Sequence, residues 1–414
     1  MHLVIEAREG DTMKILCVIG SKDVHNITSS TMILNMTILD GIRDLGYSVD
    51  LLTISEETDN SNKAQNNLKE YFNNIYTISY KEKSKNKKKK KGLLGKLYNF
   101  WIYSIKDILI KQYNKKDLAN IVNDEYDIVL ALCPPTLSPI LANDVIKLSN
   151  LVKAKYIQYW SDPITGSLFD YKGLLPKKRL LHRYIENYLL RMADEIVYCT
   201  PSLYNMQKEI HQNISGKMRW VDVGFTNKKQ NKISSNTKKT TYLIGYFGSY
   251  PLGVRNITPL LRVMEYVKNS KLIVRGDSDI DKLQYPNVDI KFERIPLELV
   301  VSMEDKCDIL ICLGNSKGVQ IPGKTFYYAN YNKPIIFIAD GYYKQVIKEY
   351  LSSFNRYIIC DNNQESIKCA VNEAITMSSN FRTKSLERLK PKNVSNAILN
   401  SKLNYINMKE YDSK

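Results

Sequence analysis

The sequence predicts an α/β protein in which two doubly wound, Rossmann-like parallel sheets face a cleft and a C-terminal helical tail follows. Short, almost continuously apolar runs alternate with amphipathic helical patterns, as in parallel strands that helices cover on both faces. This alternation stops near Phe225 and restarts after residue 240. The 414 residues are enough for two such units.

The first half alternates predicted strands with predicted helices. The strands are Lys14–Ile19, Val49–Ile54, Ile75–Ser79, Ile128–Leu132, Lys155–Tyr159 and Glu195–Cys199. The helices are Thr31–Leu45, Leu97–Val122, Pro139–Leu151, Lys177–Met192 and Pro201–His211. Residues 1–12 do not share this pattern, so we place a first domain at residues 13–225.

A polar, lysine-containing linker is predicted at residues 226–240, because its composition is typical of a solvated segment. The strands after it are Tyr242–Phe247, Lys271–Val274, Val288–Phe292, Asp308–Leu313, Pro334–Ile338 and Tyr357–Cys360. The helices are Arg255–Lys268, Leu297–Asp305, Gly323–Asn330, Tyr343–Tyr350 and Glu365–Met377. We therefore place a second domain at residues 241–379 and a mostly helical tail, with a break at Pro391, at residues 380–414.

The net charge of +17 suggests a polyanion partner until the charges are located along the chain. Residues 81–96 carry nine lysines against Glu82, and residues 226–240 carry five lysines and no acid. These two stretches account for +13 of the total. No zinc-finger, RNP or basic-zipper signature accompanies them, so we predict no nucleic-acid partner.

Other simple features exclude several protein classes. No apolar run approaches the roughly 18 residues that a membrane-spanning helix needs, and residues 1–20 do not resemble a secretory signal. The seven cysteines form no C-x-x-C pair and mostly lie in apolar runs, which indicates buried free thiols in a reducing cytosol. The four histidines lack metal-ligand spacing, so no histidine-built metal site is expected.

A glycine-containing turn follows the first strand of the second half. The run GYFGSYPLGVR, residues 245–255, leads into a helix predicted to start near Asn256. Gly248 and Ser249 permit a close backbone approach, and Arg255 can pair with phosphate through its planar guanidinium. The alternative is a plain tight turn with an exposed arginine.

A second turn of this kind is the run GNSKGVQIPGKTFYY, residues 314–328. Pro322 suits the first turn of a helix, which leaves N–H groups near Gly323 and Lys324 free to face a diphosphate. Lys324 adds a positive charge there. The alternative is a loop with a solvent-facing lysine.

In the first half, the run YWSDPITG, residues 159–166, ends a predicted strand. Asp162 at this carboxyl end can act as a base or bind a hydroxyl group in the cleft. The alternative is that Asp162 caps a turn or helix before Pro163.

A lysine run precedes the apolar and aromatic segment GLLGKLYNFWIY. Its central residues are Lys87, Lys88, Lys89, Lys90 and Lys91. Polybasic segments beside apolar residues can bind an anionic membrane surface. The alternative is a solvated loop beside a core helix.

In this order and spacing, the segments resemble glycosyltransferase family 4, the retaining GT-B enzymes of surface-polysaccharide assembly such as lipopolysaccharide and capsule synthesis. The resemblance covers residues 13–385. In the second half it is carried by Phe247–Tyr250 with Arg255, Cys307–Leu310, Ile321–Ala329 and Lys333–Ile336. The first half adds Ser161–Thr165 and Ala193–Thr200.

The resemblance implies that the second half binds a nucleoside-diphosphate sugar and the first half binds the acceptor. Arg255 and Lys324 would neutralise the departing diphosphate, so neither a metal ion nor a cofactor is expected. Asp162 would lie near the acceptor hydroxyl. The other implied donor-binding residues are Gly248, Ser249, Arg294, Ile295, Gly323 and Tyr327.

Several residues depart from the family pattern. Tyr327 stands where relatives use a glutamate on the donor ribose, and a phenol cannot accept hydrogen bonds from two hydroxyls as a carboxylate can. Ser161 and Ile164 replace an arginine and a tryptophan, and Asn332 replaces a glycine.

We therefore predict a cytoplasmic glycosyltransferase of the hexosyltransferase type, held at the inner face of the cell membrane by the lysine run. It would move a sugar from a nucleoside-diphosphate donor to a lipid-linked or growing glycan acceptor, with retention of configuration. Two alternatives stay open. Tyr327 favours a non-catalytic GT-B-like partner of an active transferase. A nucleotide-sugar 2-epimerase shares the fold, although the histidines here are scattered rather than clustered with carboxylates.

Overall fold

The computed structural model describes most of both predicted halves. The described residues are 12–21, 24, 29–56, 68–80, 113, 118, 125–149, 151–166, 176–225, 239–279, 285–292, 295–378, 381–382 and 386–401. The lysine run, nearly all of the predicted helix Leu97–Val122, most of the linker and Arg294 lie outside these residues. The proposed domain boundaries stay predictions.

The first half forms a seven-stranded parallel sheet within the described residues, in the order β3-β2-β1-β4-β5-β6-β7. The strands are β1 Lys14–Ile19, β2 Ser48–Glu56, β3 Ile75–Tyr80, β4 Ile128–Cys133, β5 Lys155–Trp160, β6 Glu195–Tyr198 and β7 Met218–Trp220. The described helices are α1 Ser30–Asp44, α2 Leu137–Leu148, α3 Pro176–Leu190 and α4 Pro201–Ile210. The central strands β1 and β4 are buried almost throughout, because helices cover both faces of the sheet.

The second half forms a six-stranded parallel sheet in the order β10-β9-β8-β11-β12-β13, again within the described residues. The strands are β8 Tyr242–Phe247, β9 Ser270–Arg275, β10 Val288–Lys291, β11 Ile309–Leu313, β12 Ile335–Ala339 and β13 Ile358–Asp361. The described helices are α5 Thr258–Val263, α6 Leu297–Lys306, α7 Gly323–Tyr327, α8 Lys344–Ser352 and α9 Gln364–Ser378. Two parallel sheets with flanking helices confirm the predicted fold class.

The tail returns to the first half through a last described helix, α10 Pro391–Leu399. The Ser395 hydroxyl donates to the Ile38 carbonyl oxygen of α1 at 2.7 Å. A Cβ atom on Gly41 would lie only 2.0 Å from the Pro391 carbonyl oxygen, so the two helices meet where α1 has no side chain. The tail therefore packs on the half that begins the chain.

The structure corrects three details of the sequence analysis. The helix predicted at Arg255–Lys268 begins at Thr258 and ends at Val263. Pro259 accounts for the late start, because it has no N–H group for an i−4 hydrogen bond and fits only the first turn. Pro391 does not only break the tail; it begins α10 for the same reason. The short edge strand β7 was not predicted, since three residues carry too little pattern.

Candidate active site

A cleft of about 200 Å³ lies between the two halves at the carboxyl ends of their strands. Ser161 and Asp162 follow β5, Cys199 and Thr200 follow β6, and Asn315 follows β11. Open α/β sheets bind ligands at these ends, so the cleft lies where the architecture predicts a site.

Asp162 lines the first-half wall of the cleft. Solvent in the cleft reaches its side chain, yet the protein around it displaces much of the bulk water. This desolvation raises the pKa of the Asp162 carboxyl to about 6. Near neutral pH the group is ionised and close to the pKa that suits a general base.

The loop that carries Asp162 is held from behind by the buried Glu186 of α3. Glu186 accepts hydrogen bonds from the Ile164 and Thr165 backbone N–H groups at 2.7 Å and 3.0 Å. Nε2 of the buried His211 lies 3.1 Å from the same carboxylate. Glu186 thus fixes the backbone two and three residues beyond Asp162, and the sequence analysis did not identify this role.

Arg255 lines the second-half wall, and neutral groups hold its guanidinium. Nε donates to Asn315 Oδ1 at 2.8 Å, and Nη1 donates to the Ser249 carbonyl oxygen at 2.7 Å. The Tyr246 hydroxyl is also hydrogen-bonded to it. Among the residues that the structure describes, no carboxylate pairs with Arg255. Its positive charge is therefore positioned but not neutralised.

Lys324 lies in a different electrostatic setting. Its amine forms an ion pair with the buried carboxylate of Glu304 and is not among the described lining residues of the cleft. Glu304 also accepts hydrogen bonds from the Tyr328 and Tyr331 hydroxyls at 2.8 Å and 3.0 Å. Burial and the Glu304 charge raise the pKa of both phenols. The charge of Lys324 is thus largely balanced inside the second half.

Tyr327 bridges the two halves across the cleft. Its hydroxyl donates to the Ser30 carbonyl oxygen in the first turn of α1 at 2.9 Å. Gly323 lies beside this contact, where a Cβ atom would be 2.8 Å from Ser30 Oγ and 3.1 Å from the Tyr327 hydroxyl. Tyr327 therefore joins the two halves through its hydroxyl group.

Three other predicted donor-site residues are described by the structure but are not among the lining residues of the cleft. Gly248 and Ser249 follow β8, and neither is among the described lining residues. Ser249 acts through its carbonyl oxygen, which holds Arg255. Ile295 follows β10 and is half-buried away from the described lining. The structure thus brings Asp162, Arg255, Gly323 and Tyr327 together from the predicted set.

The cleft also contains polar residues that the sequence analysis did not single out. Thr200 caps α4 by accepting the Leu203 N–H at 3.3 Å. Gln320 is buried at the lining, and its Oε1 has no hydrogen-bond partner among the described residues. A buried amide oxygen without a partner is costly, so Gln320 favours a polar ligand. Burial raises the pKa of the Cys199 thiol, which argues against a thiolate nucleophile.

Within the described ranges, no group of three or more His, Cys, Asp and Glu side chains is arranged to hold a metal ion. No helix in the described part of the chain combines the length and apolarity needed to cross a membrane.

No protein-family model matches the chain, and no curated protein matches it. Solved structures do match. The N-terminal domain of Candida albicans trehalose-6-phosphate phosphatase aligns with a TM-score of 0.55 at 12% identity, covering 99% of this chain and 97% of that one. An E. coli trehalose-6-phosphate protein bound with UDP-2-fluoro glucose aligns with a TM-score of 0.50 at 11% identity, covering 97% and 98%. The lipopolysaccharide outer core galactosyltransferase WaaB in its apo form aligns at 0.47 and 14% identity, covering 94% and 100%.

These comparisons concern the fold. The described residues have the two-sheet GT-B architecture. The structural neighbours include glycosyltransferases.

Proposed function

We propose that this protein transfers a glycosyl group from a nucleoside-diphosphate sugar to a glycan or lipid-linked acceptor. The observation that carries the proposal is Arg255, a guanidinium at the cleft whose described partners are all neutral. A preorganised arginine of this kind suits a bidentate phosphate group. The resemblance is the basis for proposing Gly323, Gly248 and Ser249 as backbone around the donor and Arg294 and Ile295 as residues beside its base; of these, Gly323 is in the described lining.

Asp162 is the residue that we propose to act on the acceptor hydroxyl. In the transfer, the bond between the anomeric carbon and the diphosphate oxygen breaks, and the acceptor oxygen bonds to that carbon. Asp162 accepts the hydroxyl proton or orients that hydroxyl, and the nucleoside diphosphate leaves against Arg255. Retention of configuration is part of the proposal and comes from the family resemblance alone; in a single step it requires the acceptor oxygen to approach the anomeric carbon from the face that the diphosphate leaves.

Lys324 is proposed as a second, weaker contribution to the donor site. Its pairing with Glu304 balances most of its charge, so its field at the cleft is smaller than that of Arg255. Because protein cations stabilise the departing diphosphate in this proposal, we expect transfer to continue when a chelator such as EDTA is added. A loss of activity restored by Mg²⁺ or Mn²⁺ would contradict this part.

The proposed acceptor is lipid-linked or attached to a growing polysaccharide, and the proposed location is the inner face of the cell membrane. The lysine run supports this by its sequence, although it lies outside the described residues. Replacing Lys87–Lys91 with Gln is expected to weaken binding to anionic vesicles and to leave turnover of a water-soluble acceptor intact. Unchanged vesicle binding would rule out a role for the run.

Calorimetric titration with UDP, GDP and dTDP tests the donor site. We expect at least one diphosphate to bind the wild-type protein, and Arg255→Gln to weaken that binding. Arg262→Gln is the matched control, because Arg262 is exposed on α5 outside the described lining of the cleft. If none of the three diphosphates binds to the wild-type protein, the proposal fails.

A non-catalytic partner of an active transferase is the second candidate, and the Tyr327–Ser30 contact favours it. By the resemblance, Tyr327 stands where the family binds the donor ribose, and its hydroxyl is engaged with Ser30. The cleft is also smaller than the roughly 300 Å³ of typical small-molecule pockets. Under this alternative, the protein would bind none of the three diphosphates but would co-purify with an active enzyme.

A further inference from the structure

Helix α3, Pro176–Leu190, has two opposite faces with different tasks. Its buried face includes Glu186, which holds the loop of Asp162, together with Ile185 and Leu189. Its outer face carries a row of large side chains at every fourth position. Leu180, Tyr184 and Tyr188 are 65%, 72% and 60% exposed.

This row is a surface feature rather than scattered exposure. Residues four apart lie on one side of a helix, so Leu180, Tyr184 and Tyr188 form one continuous ridge. Single exposed apolar residues are ordinary on protein surfaces, whereas contiguous ones mark interaction sites. Met192, just beyond the helix, is also exposed.

The exposed charged residues described along the chain from Leu180 to Met192 are basic. Arg183 and Arg191 are exposed beside the ridge, and Glu186, the one acidic residue of α3, is buried on the opposite face. Asp194 beyond the helix end accepts the Tyr156 backbone N–H at 2.8 Å. The face is therefore apolar and positive.

We propose that the outer face of α3 docks on an anionic lipid surface. Tyrosines suit the boundary between headgroups and acyl chains because the ring is apolar and the hydroxyl is polar, and arginines beside them bind anionic headgroups. The three side chains protrude from one helix, and a fluid lipid layer accepts such a ridge without the complementary surface that a protein partner needs. This surface is separate in sequence from the lysine run at residues 81–96.

Docking through α3 has a consequence for the cleft. The helix that would contact lipid also fixes the loop of Asp162 through Glu186. The acceptor wall of the cleft would then be one helix away from the membrane, which suits a lipid-linked acceptor. This consequence rests on the proposed function, whereas the lipid binding itself does not.

The test compares the full-length protein with two triple variants in vesicle co-sedimentation. The test variant is Leu180→Ser/Tyr184→Ser/Tyr188→Ser. The matched control is Leu299→Ser/Tyr266→Ser/Tyr342→Ser, three side chains of the second half that are 52%, 62% and 89% exposed. Vesicles contain phosphatidylcholine with or without phosphatidylglycerol. Thermal melts confirm that each protein is folded.

We expect the test variant to lose about tenfold or more in vesicle affinity and the control to bind like wild type. Arg183→Gln/Arg191→Gln should lose about fivefold per charge on phosphatidylglycerol vesicles and nothing on phosphatidylcholine alone. The α3 effect should persist when Lys87–Lys91 are replaced with Gln.

Two results would overturn the proposal. One is unchanged vesicle binding by the folded test variant. The other is a test variant that still binds vesicles but shifts from dimer to monomer in light scattering. That result would mean that the ridge binds a protein partner. Titration of the same proteins with diphosphates reports separately on the donor site, because the α3 ridge is not among the described lining residues of the cleft. Loss of vesicle binding and failure of the donor site can therefore be told apart.

Discussion

The two walls of the cleft achieve their chemistry in opposite ways. On the first wall, desolvation raises the pKa of Asp162 and the buried Glu186 fixes its loop. On the second wall, neutral acceptors hold Arg255 and leave its charge available. One wall is therefore suited to proton transfer and the other to binding an anion. If this division is correct, mutations on each wall should affect different kinetic quantities.

The largest effect is expected for Asp162→Asn. A general base typically contributes 10²- to 10⁴-fold, so turnover should fall by about that factor while diphosphate affinity stays near wild type. In the wild type, turnover should decline as the pH falls through about 6, because protonation removes the base. The variant should lack this acid limb. Equal loss of donor affinity would break the division between the walls.

The same substitution makes a stability prediction. The folded-state pKa of Asp162 is raised above its unfolded value of roughly 4, so ionisation opposes folding. The free energy of unfolding of the wild type, measured relative to that of Asp162→Asn, should therefore fall as the pH rises from about 4 to about 6. Above that pH it should stay low. Paired thermal melts across this range check the sign.

Arg255→Gln is expected to have the next largest effect, on donor affinity. Hydrogen bonds to charged groups contribute about 1.5–3 kcal/mol, so affinity for the bound diphosphate should fall by about 10- to 100-fold. Arg262→Gln should leave it unchanged. If Arg255→Gln lowers turnover at saturating donor but spares affinity, Arg255 belongs to the chemical step and the comparison between the walls is wrong.

Lys324→Met should cost more in stability than in affinity. The substitution leaves the buried Glu304 carboxylate without its cation, and we expect about 2 kcal/mol of destabilisation after allowing for the partly exposed amine. Donor affinity should fall by less than it does in Arg255→Gln. Adding Glu304→Gln should restore part of the stability. An affinity loss equal to that of Arg255→Gln would show that the Lys324 amine leaves Glu304 to bind the diphosphate.

Tyr327→Phe should have the smallest effect, in the direction of tighter binding. It removes the hydrogen bond to Ser30 and weakens closure of the cleft by about 1 kcal/mol, which is about fivefold in population. Tyr357→Phe is the matched control, since it removes a 2.8 Å bond to the Thr325 carbonyl oxygen within the second half. If both variants have the same donor affinity as wild type, the Tyr327 contact does not limit entry.

Tyr327→Glu, which would introduce the glutamate that the sequence resemblance leads one to expect, is a poorer test. The carboxylate would face the Ser30 carbonyl oxygen in a buried position, where like partial charges repel.

The fold was predictable from the sequence because its signals are local. Apolar runs of parallel strands, such as β1, and the amphipathic α1 are visible over a few residues, and the bounds of β1 and β8 were predicted to the residue. The docking of α10 on α1 was not predictable, since it joins residues 357 positions apart through Ser395 and Ile38.

The site was only partly predictable, because charge balance depends on distant partners. Arg255 and Lys324 gave the same signal, a cation beside a predicted helix start. Only the structure shows that Glu304 balances the charge of Lys324, whereas neutral groups hold Arg255. Glu186 follows the same rule: its sequence context is an ordinary amphipathic helix, and its role comes from contacts 21 and 22 positions away.

The most direct test of the central claim is transfer itself. Purified protein is incubated with UDP-, GDP- and dTDP-sugars and a membrane extract as the acceptor source, and release of nucleoside diphosphate is measured beside Asp162→Asn. We predict that at least one donor releases nucleoside diphosphate, that this release depends on the extract, and that it falls at least about 100-fold in the variant. Absence of release by the wild type with every donor, or equal release by Asp162→Asn, would contradict it.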